Sequence, residues 1–194
     1  MRIPKQDQRR MIMEKALEFV KKGTYKNLSV RDFCADAGIT TGVFYRNFLS
    51  KETLFHDCCS QLLEEELSTV EVLLFGLSCE EQLIRYGLFL LSFSRKVGQE
   101  QVMIDMNDLE TIRTYEDCRD MAAKYAMDIL LRASTEHLID RASVALALES
   151  FFVVIEGTCM ASHKWKFERE EAVAYEEQLL RWMIPGILGY NHVP

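Results

Sequence analysis

The sequence contains few of the residues that interrupt helices, with three prolines and nine glycines among 194 residues. In a helix interior, proline costs about 3 kcal/mol and glycine about 1 kcal/mol relative to alanine. Good helix formers, namely Leu, Glu, Ala and Met, are abundant instead. With 48% hydrophobic and 27% charged residues, the composition is that of a globular protein with a sizeable core. We therefore expect an all-α protein.

Features of several other protein classes are also missing. The six cysteines form no CxxC pair and no cluster with His at zinc-ligand spacing, so we expect neither a metal site nor a disulfide framework. No stretch reaches the ~18 uninterrupted apolar residues that span a bilayer. The N-terminal segment is polar and lacks a secretory hydrophobic region. We expect a cytoplasmic protein that does not enter a membrane.

Catalytic motifs are missing from the sequence. It has no Gly-rich phosphate loop, no HExxH motif and no nucleophile elbow, and its four histidines are widely spread. We therefore expect a protein that is not an enzyme and that uses no cofactor or metal.

The stretch from Leu28 to Leu54 has the pattern of a helix-turn-helix. Ser29 can cap a first helix, whose apolar residues recur at three- and four-residue spacing and which ends at Gly38. Thr40 can cap a second helix, with Phe44 and the phenylalanine four residues later on its inner face. Two short helices joined by a Gly-containing turn can place the second one in a DNA major groove. An ordinary αα-hairpin is the alternative.

The outer side of the second helix carries side chains suited to DNA contact. Thr41 can hydrogen-bond a base edge, and Val43 can contact a thymine methyl group. Phosphate contacts position a protein without reading sequence. The remaining outward positions are Gly42 and, within reach of phosphates, Tyr45, Arg46 and Lys51.

The run from Gly38 to Leu54, GITTGVFYRNFLSKETL, resembles the signature of TetR-family transcriptional regulators. The shared pattern is a glycine, a hydrophobic residue and Ser/Thr, then an aromatic Tyr, then Phe-x-Ser/Asn-Lys-acidic-x-Leu. The resemblance implies base-reading positions at Arg31, Thr41 and Val43. It implies contacts to the DNA backbone by Thr40, Tyr45, Asn47 and Lys51. Asn47 departs from the pattern, because the family often has His or Tyr there.

The charge distribution fits a DNA-binding head on an acidic body. The chain carries a net charge of −7, which by itself would repel phosphate. Residues 1–53, however, contain eleven Lys and Arg against six Asp and Glu, so their net charge is +5 and the remainder carries −12. This asymmetry is typical of a protein in which one part contacts nucleic acid.

A first helix is predicted from about Gln6 to Lys22, and it would support the helix-turn-helix. Four basic residues precede or open this helix, namely Arg2, Lys5, Arg9 and Arg10. Such an arm can approach phosphates or a minor groove, although a solvated surface is the alternative. Thr24 and Tyr25, in the linker that follows, can also contact phosphate.

Apolar periodicity predicts further helices after residue 50, so we expect about nine in all. The helix from Lys51 has about 25 residues and would act as a lever, because movement of its far end rotates the head. We divide the chain into a helix-turn-helix DNA-binding domain, 1–50, and an effector-binding and dimerisation domain, 51–194. The later helices are predicted at about 83–97, 99–107, 108–133, 142–166 and 168–188.

The last two predicted helices are too apolar for a single buried face. Two such pairs can pack as a four-helix bundle across a two-fold axis. The family resemblance implies the same homodimer. Two heads related by a two-fold axis would read a palindromic operator, with half-sites ~34 Å or somewhat more apart.

The middle helices are rich in aromatic and Met side chains, which line ligand pockets as well as helical cores. The family resemblance implies a small hydrophobic or amphipathic effector that releases the protein from DNA by favouring another conformer. The candidate ligand-binding residues are Phe89, Phe93, Met103, Tyr115, Met121, Tyr125, Phe152 and Glu156. Core packing is the alternative for each of them.

Two carboxylates, Glu149 and Glu156, lie on one face of a very apolar helix. Buried carboxylates need partners. We expect them either to pair with Arg or Lys across the dimer or to face a cavity that takes a cationic ligand.

Three classes of function follow from these patterns. The leading one is a sequence-specific DNA-binding regulator, a repressor by family resemblance, released by a small effector. The second is a DNA-binding regulator controlled by a protein partner or by redox chemistry at Cys58 and Cys59. The third is a helical interaction module that does not bind DNA.

Overall fold

The computed structural model describes residues 5–22, 24–97, 109–165 and 169–189. Within these ranges it contains eight α-helices, two short 3-10 helices and no strand, which confirms the all-α prediction. The α-helices are α1 (Lys5–Lys21), α2 (Val30–Asp36), α3 (Thr41–Asn47), α4 (Lys51–Leu74), α5 (Cys79–Val97), α6 (Leu109–Thr135), α7 (Val144–Trp165) and α8 (Arg169–Ile187). The helix predicted at 99–107 lies outside the described residues.

The chain divides into two compact units. The first unit contains residues 1–65 and 95–118, and the second contains residues 66–94 and 119–194. Helices α4, α5 and α6 each contribute residues to both units. The domain boundary after residue 50 stays a prediction.

An aromatic core holds α1, α2 and α3 in the first unit. Phe33 of α2 and Phe44 of α3 are fully buried and meet edge to face, with ring centroids 6.0 Å apart. Phe48, just after α3, is also buried and lies 6.1 Å from the ring of Phe44. The predicted inner face of the second helix is therefore confirmed, and its burial leaves the opposite face of α3 toward solvent.

Local hydrogen bonds fix the starts of α2 and α3. The hydroxyl of Ser29 accepts a bond from the backbone N–H of Asp32 at 3.1 Å, and that of Thr40 accepts one from Val43 at 3.2 Å. Each satisfies one of the backbone donors that a helix N-terminus leaves unpaired. Between the two helices, Gly38 has a φ of +65°, the left-handed conformation expected where a helix ends. Both predicted caps are confirmed.

In the second unit, α7 packs against α8, and Gly87 lets α5 approach both. A Cβ atom at Gly87 would lie 2.9 Å from the terminal methyl carbons of Ile155 on α7 and Leu180 on α8. Nearby, Tyr86 is fully buried, and its hydroxyl donates to the carbonyl of Ala122 on α6 at 2.8 Å. The glycine thus sets how closely these helices pack.

One helical stretch of the described chain, Arg141–Ser162, is long and apolar enough to cross a membrane by length and composition. Its mean hydropathy is 1.7, and 44% of it is buried inside the protein. Core helices of folded proteins meet the same criterion, and this stretch includes most of α7, which packs on α8. The stretch is therefore weak evidence for a membrane span.

The close approach at Gly87 leads to a stability prediction. We expect Gly87→Leu to lower the free energy of unfolding by about 1–3 kcal/mol or more, because a larger side chain overpacks the space next to Ile155 and Leu180. Urea unfolding followed by circular dichroism measures this change. Gly157→Leu on α7 is the matched control, since a Cβ there would have no neighbour within 4 Å. Equal stability of the two variants would contradict this account of the packing.

Candidate DNA-binding interface

The outward face of α3 presents the side chains that the sequence analysis assigned to DNA. Thr41, Gly42 and Arg46 are exposed, and Tyr45 is 56% exposed although its ring edge contacts Phe44. Val43 is half-buried at the edge of the same face. A two-turn helix of this kind offers hydroxyl, apolar and cationic groups side by side, the mixture that base edges and phosphates require.

Two candidate residues also have structural partners. Thr40 is exposed, yet its hydroxyl already accepts the capping bond from Val43. Its own O–H hydrogen can still be donated to an acceptor such as a phosphate. The guanidinium Nε of Arg46 donates to the carbonyl of Gly42 at 3.2 Å, which holds the side chain along α3. Arg31 is exposed on α2.

Lys51, at the start of α4, borders a groove beside α3. Its Nζ donates to the carbonyl of Leu28 at 3.1 Å and lies 5.8 Å from the ring centre of Tyr25. The groove has a volume of about 380 Å³ and lies within the first unit. Its lining residues are Leu28, Ser29, Val30, Tyr45, Leu49, Ser50, Lys51 and Glu52. The lining thus combines hydroxyl groups, one cation and the carboxylate of Glu52 at the start of α4.

Asn47 is placed differently from the other candidates. It is only 9% exposed, and its Nδ2 donates to the carbonyl of Val43 at 2.8 Å. Its Oδ1 is buried and has no hydrogen-bond partner among the described residues. This burial argues against the phosphate contact implied by the family resemblance, and we leave Asn47 out of the proposed interface.

Tyr25 is also buried, at 2% exposed, which argues against a phosphate contact in the linker. Its ring stacks on Phe55 with centroids 5.6 Å apart, and its hydroxyl donates to the carbonyl of Lys51 at 3.1 Å. Burial raises the pKa of Tyr25, so it remains a neutral hydrogen-bond donor. An apolar, aromatic neighbourhood of this kind cannot be seen from residue spacing.

The N-terminal basic residues Arg9 and Arg10 have different partners in the structure. Arg10 is exposed and pairs with Glu14 one turn along α1 at 3.5 Å. Arg9 instead pairs with Asp57 of α4 and is directed at the end of α3. The side chains of Arg2 and Lys5 lie outside the described residues.

Most of the candidate effector-binding residues lie in the second unit. A layer of rings there surrounds Tyr86, which the sequence analysis did not single out. Tyr86 stacks on Phe89 and Phe151 with centroids 5.9 and 6.2 Å away, and Tyr125 lies 6.2 Å from it. Its only sequence signal is its place in the apolar run 83–97.

The remaining candidates are distributed as follows. Phe93 and Phe152 are buried, and Met121, Tyr125 and Glu156 are half-buried, all in the second unit. Tyr115 is half-buried in the first unit. Met103 lies outside the described residues.

The two carboxylates of α7 share a partner within the same chain. Arg119 of α6 donates to Glu149 at 2.7 Å and lies 3.4 Å from a carboxylate oxygen of Glu156. Its guanidinium also lies 4.8 Å from the ring centre of Phe152. Both glutamates thus have an arginine partner within their own chain, which neither expectation for them had named.

The cysteines behave as small buried hydrophobes. All six are free and buried. Burial raises the pKa of Cys58 to about 12 and raises that of Cys59 well above its usual value. Because the thiolate is the reactive form, this environment argues against redox control at these two residues.

Comparisons with known proteins identify similarity in the N-terminal segment. The family model for bacterial regulatory proteins of the tetR family matches residues 12–58, which extend from α1 into α4. A comparison with curated proteins finds no match.

Solved structures with a similar fold cover nearly the whole chain. The transcriptional regulator FadR from Bacillus subtilis, in complex with stearoyl-CoA, has 18% identity and a TM-score of 0.69, over 91% of this chain and 97% of that chain. A transcriptional regulator from Saccharomonospora viridis in complex with choline has 16% identity and a TM-score of 0.68, over 92% and 96%.

A third similar structure is a regulator from Mesorhizobium loti, with 16% identity and a TM-score of 0.70, over 97% of this chain and 98% of that chain. At these identities the likeness establishes the fold, and the family model matches the DNA-binding segment. Residues 12–58 therefore resemble the regulatory proteins of the tetR family, and the chain shares the fold of these solved regulators.

Proposed function

We propose that this protein is a cytoplasmic, non-enzymatic repressor that binds a palindromic operator as a homodimer and is released by a small hydrophobic or amphipathic effector. The observation that carries the DNA-binding part is the outer face of α3. Thr41, Tyr45 and Arg46 are exposed there while Phe44 is fully buried beneath them. A rigid helix with exposed polar side chains can enter a major groove without reorganisation.

Within this proposal the contacts divide into two kinds. Arg31, Thr41 and Val43 read base edges, with Gly42 allowing close approach of the backbone. Thr40, Tyr45, Arg46 and Lys51 contact phosphates at the ends of α3 and at the start of α4. Lys51 supports this division, because it lies at the start of α4 in a groove that Tyr45 also lines, although Glu52 adds a carboxylate there.

The homodimer is supported by exposed apolar side chains on the last two helices. Leu146, Val153 and Met160 are exposed on α7, and Trp182 is 75% exposed on α8. A groove of about 790 Å³, open to solvent, runs between these two helices. Exposed apolar residues grouped in this way are typical of a protein interface, and a second copy of α7 and α8 would cover them.

The effector is supported by the aromatic layer around Tyr86 and by two similar structures that hold stearoyl-CoA and choline. We favour an apolar or amphipathic molecule over a simple cation, because the rings of this layer are mostly apolar and Arg119 already pairs with Glu149 and Glu156. Effector binding would favour a conformer of lower operator affinity, by an amount equal to its differential affinity for the two conformers.

The double variant Tyr45→Ala, Lys51→Ala tests the DNA-binding face. We expect it to weaken binding to specific and non-specific duplexes alike, and the slope of log affinity against log salt to fall by about 0.9 for each lost phosphate contact. Fluorescence anisotropy over a salt series measures both. Lys124→Ala, an exposed lysine of α6, is the charge-matched control. Unchanged binding by a folded double variant would exclude the helix-turn-helix as the DNA site.

Substitution of Thr41 or Arg31 tests base reading. Each change to alanine should cost about 1–3 kcal/mol on the preferred duplex and relax the preference at one position of each half-site. Selection from a pool of randomised duplexes, followed by sequencing, measures the preference of wild type and variant. If the wild type enriches no palindrome, the proposed dimeric reading fails. If a variant keeps the full wild-type preference, that residue does not read bases.

Trp182→Glu tests the dimer interface. A charge in place of an exposed aromatic residue should leave the monomer folded but raise the dimer dissociation constant by about 30-fold or more, the effect of losing an interface hot spot. Sedimentation equilibrium gives the constant, and operator affinity should fall with it. Val72→Glu, at a residue of α4 that is 79% exposed, is the control. A Trp182→Glu dimer as stable as wild type would place the interface elsewhere.

A further inference from the structure

Arg9 of α1 contacts the C-terminal end of α3 in two ways. Its Nη1 donates to the carbonyl of Asn47, the last residue of α3, at 2.6 Å. Its guanidinium also lies 4.2 Å from the ring centre of Phe48. The last carbonyls of a helix lack partners within the helix, and a cation there is favoured by the helix dipole. Arg9 therefore fixes the position of this helix end.

The same guanidinium is held in place by α4. Its Nη2 forms an ion pair with Asp57, whose other carboxylate oxygen lies 3.2 Å from Nδ1 of His56. Nε2 of His56 in turn lies 2.7 Å from a carboxylate oxygen of Asp117 on α6. The two ring nitrogens of His56 thus each face the carboxylate of a different aspartate. The four side chains form a continuous polar connection from α3 to α6.

This connection is placed where α6 passes from one unit to the other. Asp117 belongs to the first unit, and Arg119, two residues later, binds the carboxylates of α7 in the second unit. Arg113, one turn before Asp117, lies 3.9 Å from its carboxylate. Asp117 and Arg119 of α6 thus each have polar or charged partners within their own unit.

We propose that Arg9, Asp57, His56 and Asp117 form a relay through which the position of α6 controls the orientation of α3. The proposal rests on the proposed DNA-binding function and adds a path for its regulation. Because α3 has only seven residues, it is unstable alone and its orientation depends on the groups that hold its ends. A shift of α6 that moves Asp117 from His56 loosens the relay and lowers affinity for the operator. Arg9 is a positioning residue and makes no phosphate contact.

A double-mutant cycle between the two ends of the relay tests this proposal. The probe is the duplex that wild-type protein enriches from a randomised pool, and the variants are Arg9→Gln, Asp117→Asn and the two together. Each single change should lower affinity for this duplex. The double variant should lose less than the product of the single losses, by about twofold or more, because members of one network couple. Purely multiplicative losses would overturn the relay.

Three further measurements separate the relay from simpler explanations. His56→Gln should abolish the coupling between Arg9 and Asp117, whereas a persistent coupling would exclude His56 as the link. Arg10→Gln, on the same helix, should combine multiplicatively with Asp117→Asn. Arg9→Gln should leave the salt dependence of binding unchanged. A fall of about 0.9 in the slope would instead identify Arg9 as a phosphate contact and refute its positioning role.

Two outcomes distinguish failure of the relay from failure of the proposed function. If wild-type protein enriches no duplex, the DNA-binding proposal itself fails. If it enriches one and the cycle shows no coupling, only the relay fails. Should Arg9→Gln unfold, Arg9→Lys replaces it in the cycle, because Lys keeps the charge near Asp57 but cannot also bind the end of α3 and stack on Phe48. The same coupling criterion then applies.

Discussion

The structure of the first unit depends on burial of the aromatic inner face of α3. The helix has two turns, too few to be stable by its own backbone hydrogen bonds. It is held because Phe44 is completely buried against Phe33 and Phe48. Once that side is fixed, the opposite side can carry polar groups at little cost to stability. The burial of Phe44 thus fixes both the core and the orientation of the outer face that we propose to contact DNA.

In the second unit, two acidic residues lie on a very apolar helix. α7 carries Glu149 and Glu156 among Val, Phe and Ile side chains. Arg119 pairs with one oxygen of each carboxylate and also lies over the ring of Phe152. A guanidinium can do this because it is planar and presents several donors in a fixed geometry. Both carboxylates therefore have a partner within the chain, and the three side chains together keep a net charge of −1.

Four residues with suitable functional groups are buried in the structure, and burial changes what they can do. Cys58 and Cys59 look like sensor candidates in sequence, yet their burial raises the pKa of each thiol and keeps it in the unreactive form. Tyr25 and Asn47 have groups suited to phosphate but are buried, each with a hydrogen bond to a backbone carbonyl. In each case burial of the residue, and not the chemistry of its side chain, argues against the expected role.

The sequence by itself determined the helical class, the caps at Ser29 and Thr40, and the inner face of α3. These features depend on spacings of three and four residues and on hydrogen bonds between near neighbours, which a linear sequence contains. The partners of Arg9 and Arg119 were decided only by the tertiary structure. Arg9 pairs 48 residues away with Asp57, and Arg119 pairs 30 residues away with Glu149. Such pairs depend on which helices become neighbours, and long-range packing decides that.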